Sequence, residues 1–375
     1  MKIVINSLSS RMGGGQTYIK NLLARLPKNE DVEIYVYAPA DLELPTGRNL
    51  TRLSPDVNLD NPLRRAFWEK IKLPRILKEM NADILFCPGG LLNTPVHDGC
   101  RTVTMFRNMV PFDDRVKRET PFGLQRIRSR ILKPLMLKSM KKADLVIFIS
   151  DYARSVIENY ISVKRAVTIP HGISQHFLSH KKAGAEVTRI CDEEYILYVS
   201  RFESYKCHME VVKAYQLLPD HVRKQYKLLL VGENEGEFGD RVRNWIIDAN
   251  LTDRIEMVGK VNYQNLPDVY RAAKLTLFAS SCENCPNILL EALGAGRPIA
   301  CSAIMPMPEF GGDAVVYFDP HDPKQIARSI VDILSDDALA QALSDKAIAR
   351  SEMYDWATTA RRTWDEILAL GRAKG

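Results

Sequence analysis

Two glutamates eight positions apart, Glu283 and Glu291, stand in the segment of this chain richest in chemistry, Ser281-Cys282-Glu283-Asn284-Cys285-Pro286-Asn287-Ile288-Leu289-Leu290-Glu291. A strand is expected to end near Ser280, a helix to begin around Pro286 or Asn287 and to stop at Gly294–Gly296. That places Glu283 in the loop and Glu291 about one turn inside the helix. Carboxylates there accept hydrogen bonds from sugar or ribose hydroxyls, and the first amides of the helix point at phosphate oxygens. A second group follows the strand text Tyr198-Val199-Ser200, where Arg201 and Lys206 stand five residues apart. Loops at the carboxyl ends of parallel strands are ligand sites, and an Arg fork with a Lys point charge neutralises a diphosphate. A third is Met12-Gly13-Gly14-Gly15-Gln16-Thr17-Tyr18, directly after the first strand. Its glycines let the backbone approach a ligand closely. A dinucleotide fingerprint would need glycine at position 18, where Tyr18 stands, so a nicotinamide site is disfavoured. Read without a ligand, the same three features are a tight turn, two ordinary basic loop residues and a helix-surface carboxylate.

These side chains need a scaffold of strands, and the sequence supplies one twice. Short runs rich in Val and Ile recur at Lys2–Leu8, Glu33–Ala38, Asp83–Cys87, Thr102–Phe106, Leu145–Ser150 and Ala166–Ile169. A second series runs Tyr195–Ser200, Lys227–Val231, Ile255–Val258, Leu275–Ala279, Pro298–Ser302 and Val315–Phe318. Stretches with helical spacing lie between them, among them Thr17–Leu26, Arg64–Met80, Tyr152–Ile161, Met209–Leu218, Leu266–Ala273 and Pro323–Leu334. Strands apolar on both faces and alternating with helices mean parallel sheets covered on each side. The expectation is an α/β protein of two units with six strands each, covering residues 1–173 and 191–353. The junction is the polar text from Ile173 to Glu193, which includes Lys181-Lys182-Ala183-Gly184-Ala185-Glu186. A last helix from about Tyr354 carries Trp356, Trp364, Ile367 and Leu368 on one face.

The 375 residues are 46% hydrophobic and 26% charged, which suits two globular cores and excludes low-complexity and collagen-like classes. No apolar run approaches the ~18 residues of a membrane span. Met1–Asn6 reads as a strand, not a leader. Seven cysteines do not form a disulfide framework, and an intracellular, cytoplasmic protein is expected. Cys282-x-x-Cys285 has no second pair or neighbouring histidines, so no zinc is expected, and no metal or cofactor site is assigned elsewhere. Residues 1–173 hold 28 Lys and Arg against 17 Asp and Glu, a net +11, while the remainder is at −5. Ten basic residues and one acid, Glu119, lie between Arg115 and Lys142, interleaved with Phe122, Leu124, Ile127, Ile131, Leu132, Leu135 and Met136. This is either a solvated basic face or a helix for an anionic membrane surface, the inner face of the cytoplasmic membrane. No RNA- or DNA-binding motif is present, so nucleic acid is not an expected partner.

Glu283 and Glu291, with Pro286, Asn287, Leu289, Leu290 and the tail Ala292-Leu293-Gly294-Ala295-Gly296-Arg297-Pro298, closely resemble the E-x7-E signature of retaining GT-B glycosyltransferases of family 4. The resemblance extends over nearly the whole chain. It takes in the glycine turn, Arg201 and Lys206, Val231-Gly232, Val258-Gly259-Lys260-Val261, Ile169-Pro170-His171-Gly172-Ile173 and the Tyr354-Asp355-Trp356 helix start. It implies two Rossmann-like domains with parallel sheets facing across a cleft, and a C-terminal helix (354–375) crossing back to the first domain. It implies a nucleotide-diphosphate sugar held mainly by the second domain and a glycan or lipid-linked acceptor held mainly by the first. Arg201 and Lys206 would then bind the diphosphate, and Glu283 the donor-sugar hydroxyls. Asn284, Cys285, Pro286 and Asn287 would hold sugar or phosphate. Glu291 would bind ribose, Val261 would lie near the base beside the Gly232 turn, and Gly14 and Gly15 would approach the phosphates from the other side. The activity implied is retaining, metal-independent hexosyl transfer in the assembly of bacterial surface polysaccharide such as O-antigen or capsule. One departure is Arg107, which stands where relatives carry a histidine near the reacting sugar; with Asn108 and His171 it marks the acceptor side, and an arginine cannot act as a base. A nucleotide-sugar epimerase remains an alternative, as does a non-catalytic scaffold or anionic-surface-binding protein.

Overall fold

Runs of Val, Ile and Leu without a polar face become strands buried on both sides. Thirteen strands form among the described residues, which in the computed structural model are 1–11, 13–27, 31–119, 123–178 and 190–372. Met12, Phe122 and the junction residues 181–186 lie outside them, as does the side chain of Leu124. The first sheet comprises β1 (Lys2–Asn6), β2 (Glu33–Tyr37), β3 (Leu50–Leu53), β4 (Ile84–Cys87), β5 (Arg101–Phe106), β6 (Leu145–Phe148) and β7 (Ala166–Thr168). They lie in the order β3-β2-β1-β4-β5-β6-β7, all parallel, with Ile3 opposite Ile34 on one side and Ile84 on the other. The second comprises β8 (Tyr195–Val199), β9 (Lys227–Val231), β10 (Ile255–Gly259), β11 (Leu275–Phe278), β12 (Ile299–Ser302) and β13 (Val316–Phe318), in the order β10-β9-β8-β11-β12-β13 and again parallel throughout. All four residues of β6 have no exposed surface, and β11 is as deeply buried apart from 1% at Thr276.

Two expectations are corrected. The first sheet has seven strands, not six, because Leu50-Thr51-Arg52-Leu53 pairs with β2 at the edge. Thr51 and Arg52 face solvent there, so the segment lacks the apolar run by which the central strands are recognised. The single helix expected over Arg64–Met80 is two, Pro62–Ile71 and Leu73–Glu79. Pro74 sits in the first turn of the second and has no N–H to continue the first. Asn61 caps the first of these helices, its Oδ1 accepting from the amides of Leu63 and Arg64 at 2.8 and 3.3 Å.

The chain divides into two compact units. The first holds Met1–Phe112, the stretch that ends at Gly172, and the C-terminal helix from Trp356; the second holds Ile173–Asp355 with the short segment beginning at Asp113. Ile173 belongs to the second unit because its amide donates to the Tyr354 carbonyl at 3.0 Å and it bridges Asp355. The last helix, Trp356–Arg372, returns to the first unit and packs on the helix Gly14–Leu23. Trp364 Nε1 donates to the Leu22 carbonyl at 3.3 Å, and Thr363 Oγ1 lies 3.3 Å from the Tyr18 hydroxyl.

Candidate functional site

In an open parallel sheet, ligands sit where the strand order reverses, outside the carboxyl ends of the two strands at that point. In the second sheet that point lies between β8 and β11. The loop after β8 leads to a single 3₁₀ turn, Ser204–Lys206, and the loop after β11 carries Glu283. The two loops are tied together: the Ser281 amide donates to the Tyr205 carbonyl at 2.7 Å and the Ser281 hydroxyl to the same oxygen at 3.1 Å. Lys206 Nζ and Glu283 Oε1 form an ion pair with side chains only 10% and 15% exposed. The ammonium also lies 5.2 Å from the Tyr205 ring centre and 5.8 Å from that of Phe278. Two residues 77 positions apart in sequence thus make one preformed charged contact at the switch point. An ammonium has three protons, and the ones not used by Glu283 remain to meet an anion.

Arg201 is placed differently. Its side chain is 57% exposed, and its Nε lies 3.0 Å from Glu233 Oε2, while Lys260 Nζ lies 3.6 Å from the other oxygen of the same carboxylate. The cations expected to act as a pair therefore have separate partners, one buried and one at the surface. Arg201, Phe202, Glu233, Phe238, Gly259 and Lys260 help to line a groove of about 620 Å³ at the tips of β8, β9 and β10. Gly232, at the end of β9, has φ +151°, and a Cβ there would meet the Ser200 carbonyl oxygen at 1.9 Å. Only glycine lets the Ser200–Arg201 backbone pass this close. Val261 is half-buried just beyond the end of β10.

The helix expected after Cys285 runs Asn287–Ala295, and Gly296 ends it in the left-handed region at φ 68°. Asn284, Cys285 and Pro286 are buried, whereas Asn287 and Ile288 in the first turn are partly exposed, and no side chain caps that end. The Asn287 amide donates to the Cys285 carbonyl at 2.9 Å, and the positive end of the helix dipole lies in the same loop as Glu283. Gly294 sits against Ile173, where a Cβ would meet Ile173 Cγ2 at 3.0 Å. Glu291, one turn into the helix, accepts a 3.0 Å hydrogen bond from the Tyr263 hydroxyl. Burial pushes its carboxyl up to about 7, and the Tyr263 bond offsets part of that rise. Cys282 and Cys285 are buried and form no disulfide, and burial raises the Cys282 thiol, which disfavours a reactive thiolate there.

The first unit has its own switch point, between β1 and β4. Gly13 has φ 60° and leads into the helix that begins at Gly14. Gly15 is closely packed, since a Cβ there would lie 3.2 Å from Arg107 Nη1 and 3.4 Å from Ser10 Cβ. Arg107 follows β5, with its guanidinium 5.8 Å from the centre of the Tyr18 ring. The structure therefore brings Gly14, Gly15 and Arg107 to one corner of the unit. Asn108 is exposed, and its Oδ1 accepts from the Val110 amide at 3.2 Å. His171 is 2% exposed and lies in an aromatic stack, 5.4 Å from Trp356 and 5.6 Å from Tyr18. It supports the packing of the C-terminal helix.

Three residues at the site escaped sequence reasoning: Glu233, which joins Arg201 to Lys260; Tyr263, which holds Glu291; and Tyr205, whose ring and carbonyl frame Lys206. Glu233 directly follows Gly232, and a carboxylate next to an obligatory glycine turn was a usable signal. Nothing local marks Tyr263 or Tyr205, whose partners come from other strands.

Comparison with known proteins agrees with the fold. Residues 182–350 match the family model described as glycosyl transferases group 1, and residues 12–176 match that of glycosyltransferase family 4. The O-antigen chain mannosyltransferase B of Escherichia coli is 28% identical over 243 residues, 63% of each chain. The serotype-specific mannosyltransferase WbdA of the same species is 25% identical over 69% of this chain and 32% of its own. The chain thus spans less than two thirds of the length of these relatives. Among solved structures, sucrose-phosphate synthase from Thermosynechococcus elongatus superposes with a TM-score of 0.76 at 18% identity over the full length of both chains. WaaG, a glycosyltransferase involved in lipopolysaccharide biosynthesis, superposes at 0.75 and 17% identity over 98% of this chain and 99% of its own. Anabaena HepE in complex with UDP and glucose does so at 0.70 and 15% identity over 98% of this chain and 99% of its own. At such identities the structural likeness shows the fold.

Proposed function

Because the chain belongs to glycosyltransferase family 4, with the paired Rossmann-like domains of the GT-B fold, we propose that it transfers a hexosyl group from a nucleotide-diphosphate sugar to a glycan or lipid-linked acceptor in bacterial surface-polysaccharide assembly. The names of its relatives make mannose the first sugar to test. The observation that carries the reading is the meeting of Lys206 with Glu283 at the switch point of the second sheet, in the loop that leads into the Asn287–Ala295 helix.

On this reading Lys206 and Arg201 take the diphosphate. Glu283 orients Lys206 and accepts from a donor-sugar hydroxyl, while the first amides of the Asn287 helix face the sugar or phosphate. Glu291 accepts from the ribose, and Val261 lies against the base. Anomeric configuration is retained by front-face attack. The acceptor oxygen bonds to the anomeric carbon on the side from which phosphate departs, the bond from that carbon to the phosphate oxygen breaks, and the acceptor proton passes to the departing phosphate. The charge that builds on the leaving group is met by Lys206 and Arg201, so the step uses no metal. Arg107, beside Gly15, pairs with phosphate or an anionic group on the sugar. The acceptor is taken to be membrane-borne, with the basic segment 115–142 bringing the enzyme to the inner face of the cytoplasmic membrane; no helix among the described residues is long and apolar enough to cross one.

The test is a thermal-shift and hydrolysis screen over UDP-, GDP-, ADP- and dTDP-sugars, since a donor that binds the native state raises its melting temperature. Turnover of one donor that persists in EDTA, with product of unchanged anomeric configuration by NMR, is expected. No shift and no turnover with any donor overturns the proposal; loss of turnover in EDTA or an inverted product overturns the corresponding step.

A further inference from the structure

Thirteen large hydrophobic side chains stand exposed among the described residues, and six of them lie on two helices of the first unit. On Pro62–Ile71 they are Leu63, Phe67 and Ile71, exposed by 81%, 66% and 41%. On Leu124–Lys142 they are Ile127, Ile131 and Leu135, at 55%, 55% and 40%. In each helix the residues are four apart, so they form a stripe along one face. Neither stripe is a misplaced core face, because each helix buries other residues: Trp68 and Glu69 in the first, Met136, Ser139 and Met140 in the second. Each helix therefore packs into the fold by one side and leaves a separate apolar stripe exposed on another.

The two helices are neighbours. The loop residues Leu92 and Asn93 are bonded to both: the Leu92 amide donates to Ser139 Oγ at 3.0 Å, and Asn93 Nδ2 donates to Glu69 Oε2 at 3.2 Å. Arg65 of one helix feels the positive charge of Arg128 on the other. The charge that the two helices themselves expose has one sign. Arg64, Lys70, Arg128, Arg130, Lys138 and Lys141 are exposed, while Glu69, the single acid within the two helices, is buried and also accepts from Asn6 Nδ2 at 2.9 Å. Exposed apolar stripes in a cationic surround match an anionic lipid surface, which takes the apolar groups between its headgroups and the cations at its phosphates.

We infer that the paired helices Pro62–Ile71 and Leu124–Lys142 form a shallow membrane-inserting surface for anionic bilayers. This deepens the reading of a membrane-borne acceptor and rests on it for purpose, but the surface stands on its own geometry. It places apolar insertion on a helix outside the basic run 115–142.

The experiment is flotation of the full chain with phosphatidylcholine vesicles, with and without 30% phosphatidylglycerol, for the native sequence, for Phe67→Glu with Ile131→Glu, and for Leu217→Glu, an exposed apolar control in the second unit. All three are checked for unchanged melting. The expected result is binding to anionic vesicles at least tenfold stronger than to neutral ones, about tenfold weakening in the double variant and none in the control. Absence of binding to anionic vesicles, or equal binding by the double variant, overturns the inference. So does a dimer of the native chain that the double variant converts to monomer, since a second copy would then cover the stripes. Donor hydrolysis in solution is read on the same samples. Turnover without vesicle binding removes only the surface, and vesicle binding without turnover of any nucleotide sugar removes only the transferase reading.

Discussion

Replacing Lys206 by methionine removes the cation from a buried pair and leaves the Glu283 carboxylate, 15% exposed, without it. Breaking such a pair costs about 3–5 kcal/mol, because the remaining charge keeps its desolvation penalty. Both side chains retain some access to water, so the lower end applies, about 3 kcal/mol. For a unit of this size each kcal/mol moves the midpoint by about 2–4 °C, so the transition of the second unit should fall by about 6–12 °C. The double variant Lys206→Met with Glu283→Gln removes the orphaned charge and should recover at least half of that loss. Calorimetric melts of the native chain, both single variants and the double variant give the coupling directly. A Lys206→Met midpoint within about 2 °C of the native one, or a double variant as unstable as the sum of the singles, would show that the pair does not hold the loops after β8 and β11 together. Binding of UDP or GDP, which carry no sugar for Glu283 to contact, then reports on Lys206 alone. If the pair is only structural, the double variant should bind the diphosphate as the native chain does. If Lys206 meets the diphosphate, binding stays weak after the fold is restored.

Glu291 titrates near 7 in the folded chain and lower when unfolded. The folded state then holds the extra proton between those values, so this group favours folding at acid pH and the benefit is lost as pH rises through about 7. Glu291→Gln should flatten that dependence in melts from pH 5 to 8, and a nucleotide held by the ionised carboxylate should bind about tenfold more weakly at pH 6 than at pH 8 by calorimetry; a pH-independent affinity speaks against a ribose contact. His208 is buried against Phe202, their ring centres 3.9 Å apart, and burial with the nearby Lys206 charge holds its pKa down to about 3. Its unfolded form takes up a proton first, so stability present above pH 6.5 should fall by about 1 kcal/mol per unit as pH drops toward 3, and His208→Phe should remove that slope. Gly232→Ala drives a methyl into the Ser200 carbonyl and should cost about 3 kcal/mol or prevent folding. Gly236→Ala, at φ +93° with open space around it, should cost only about 1 kcal/mol in denaturant titrations. Glu233→Gln releases Arg201 and Lys260 from their shared carboxylate and should tighten nucleotide binding severalfold; weaker binding would mean that Glu233 positions Arg201.

The amino-acid order alone determined the central strands, since residues buried on both faces must be apolar without interruption, as in Leu145–Phe148 and Leu275–Phe278. It also marked the ends of the Asn287–Ala295 helix, through Pro286 before it and Gly296 after it. Local rules reach that far because they act over a few residues. They failed at β3, whose edge position exposes Thr51 and Arg52. They failed again at Pro74, where one apolar periodicity runs across two helices. Only the tertiary structure decided which charges meet. Lys206 and Arg201 look equivalent in the text, yet strand order brings one to Glu283 in a nearly dry contact, and the turn at Gly232 leaves the other at the surface with Glu233. The same holds for the stripes on Pro62–Ile71 and Leu124–Lys142, because periodicity shows that a helix has an apolar face but not whether the fold covers it. Pairing and burial depend on which segments pack together, and those segments lie tens of residues apart.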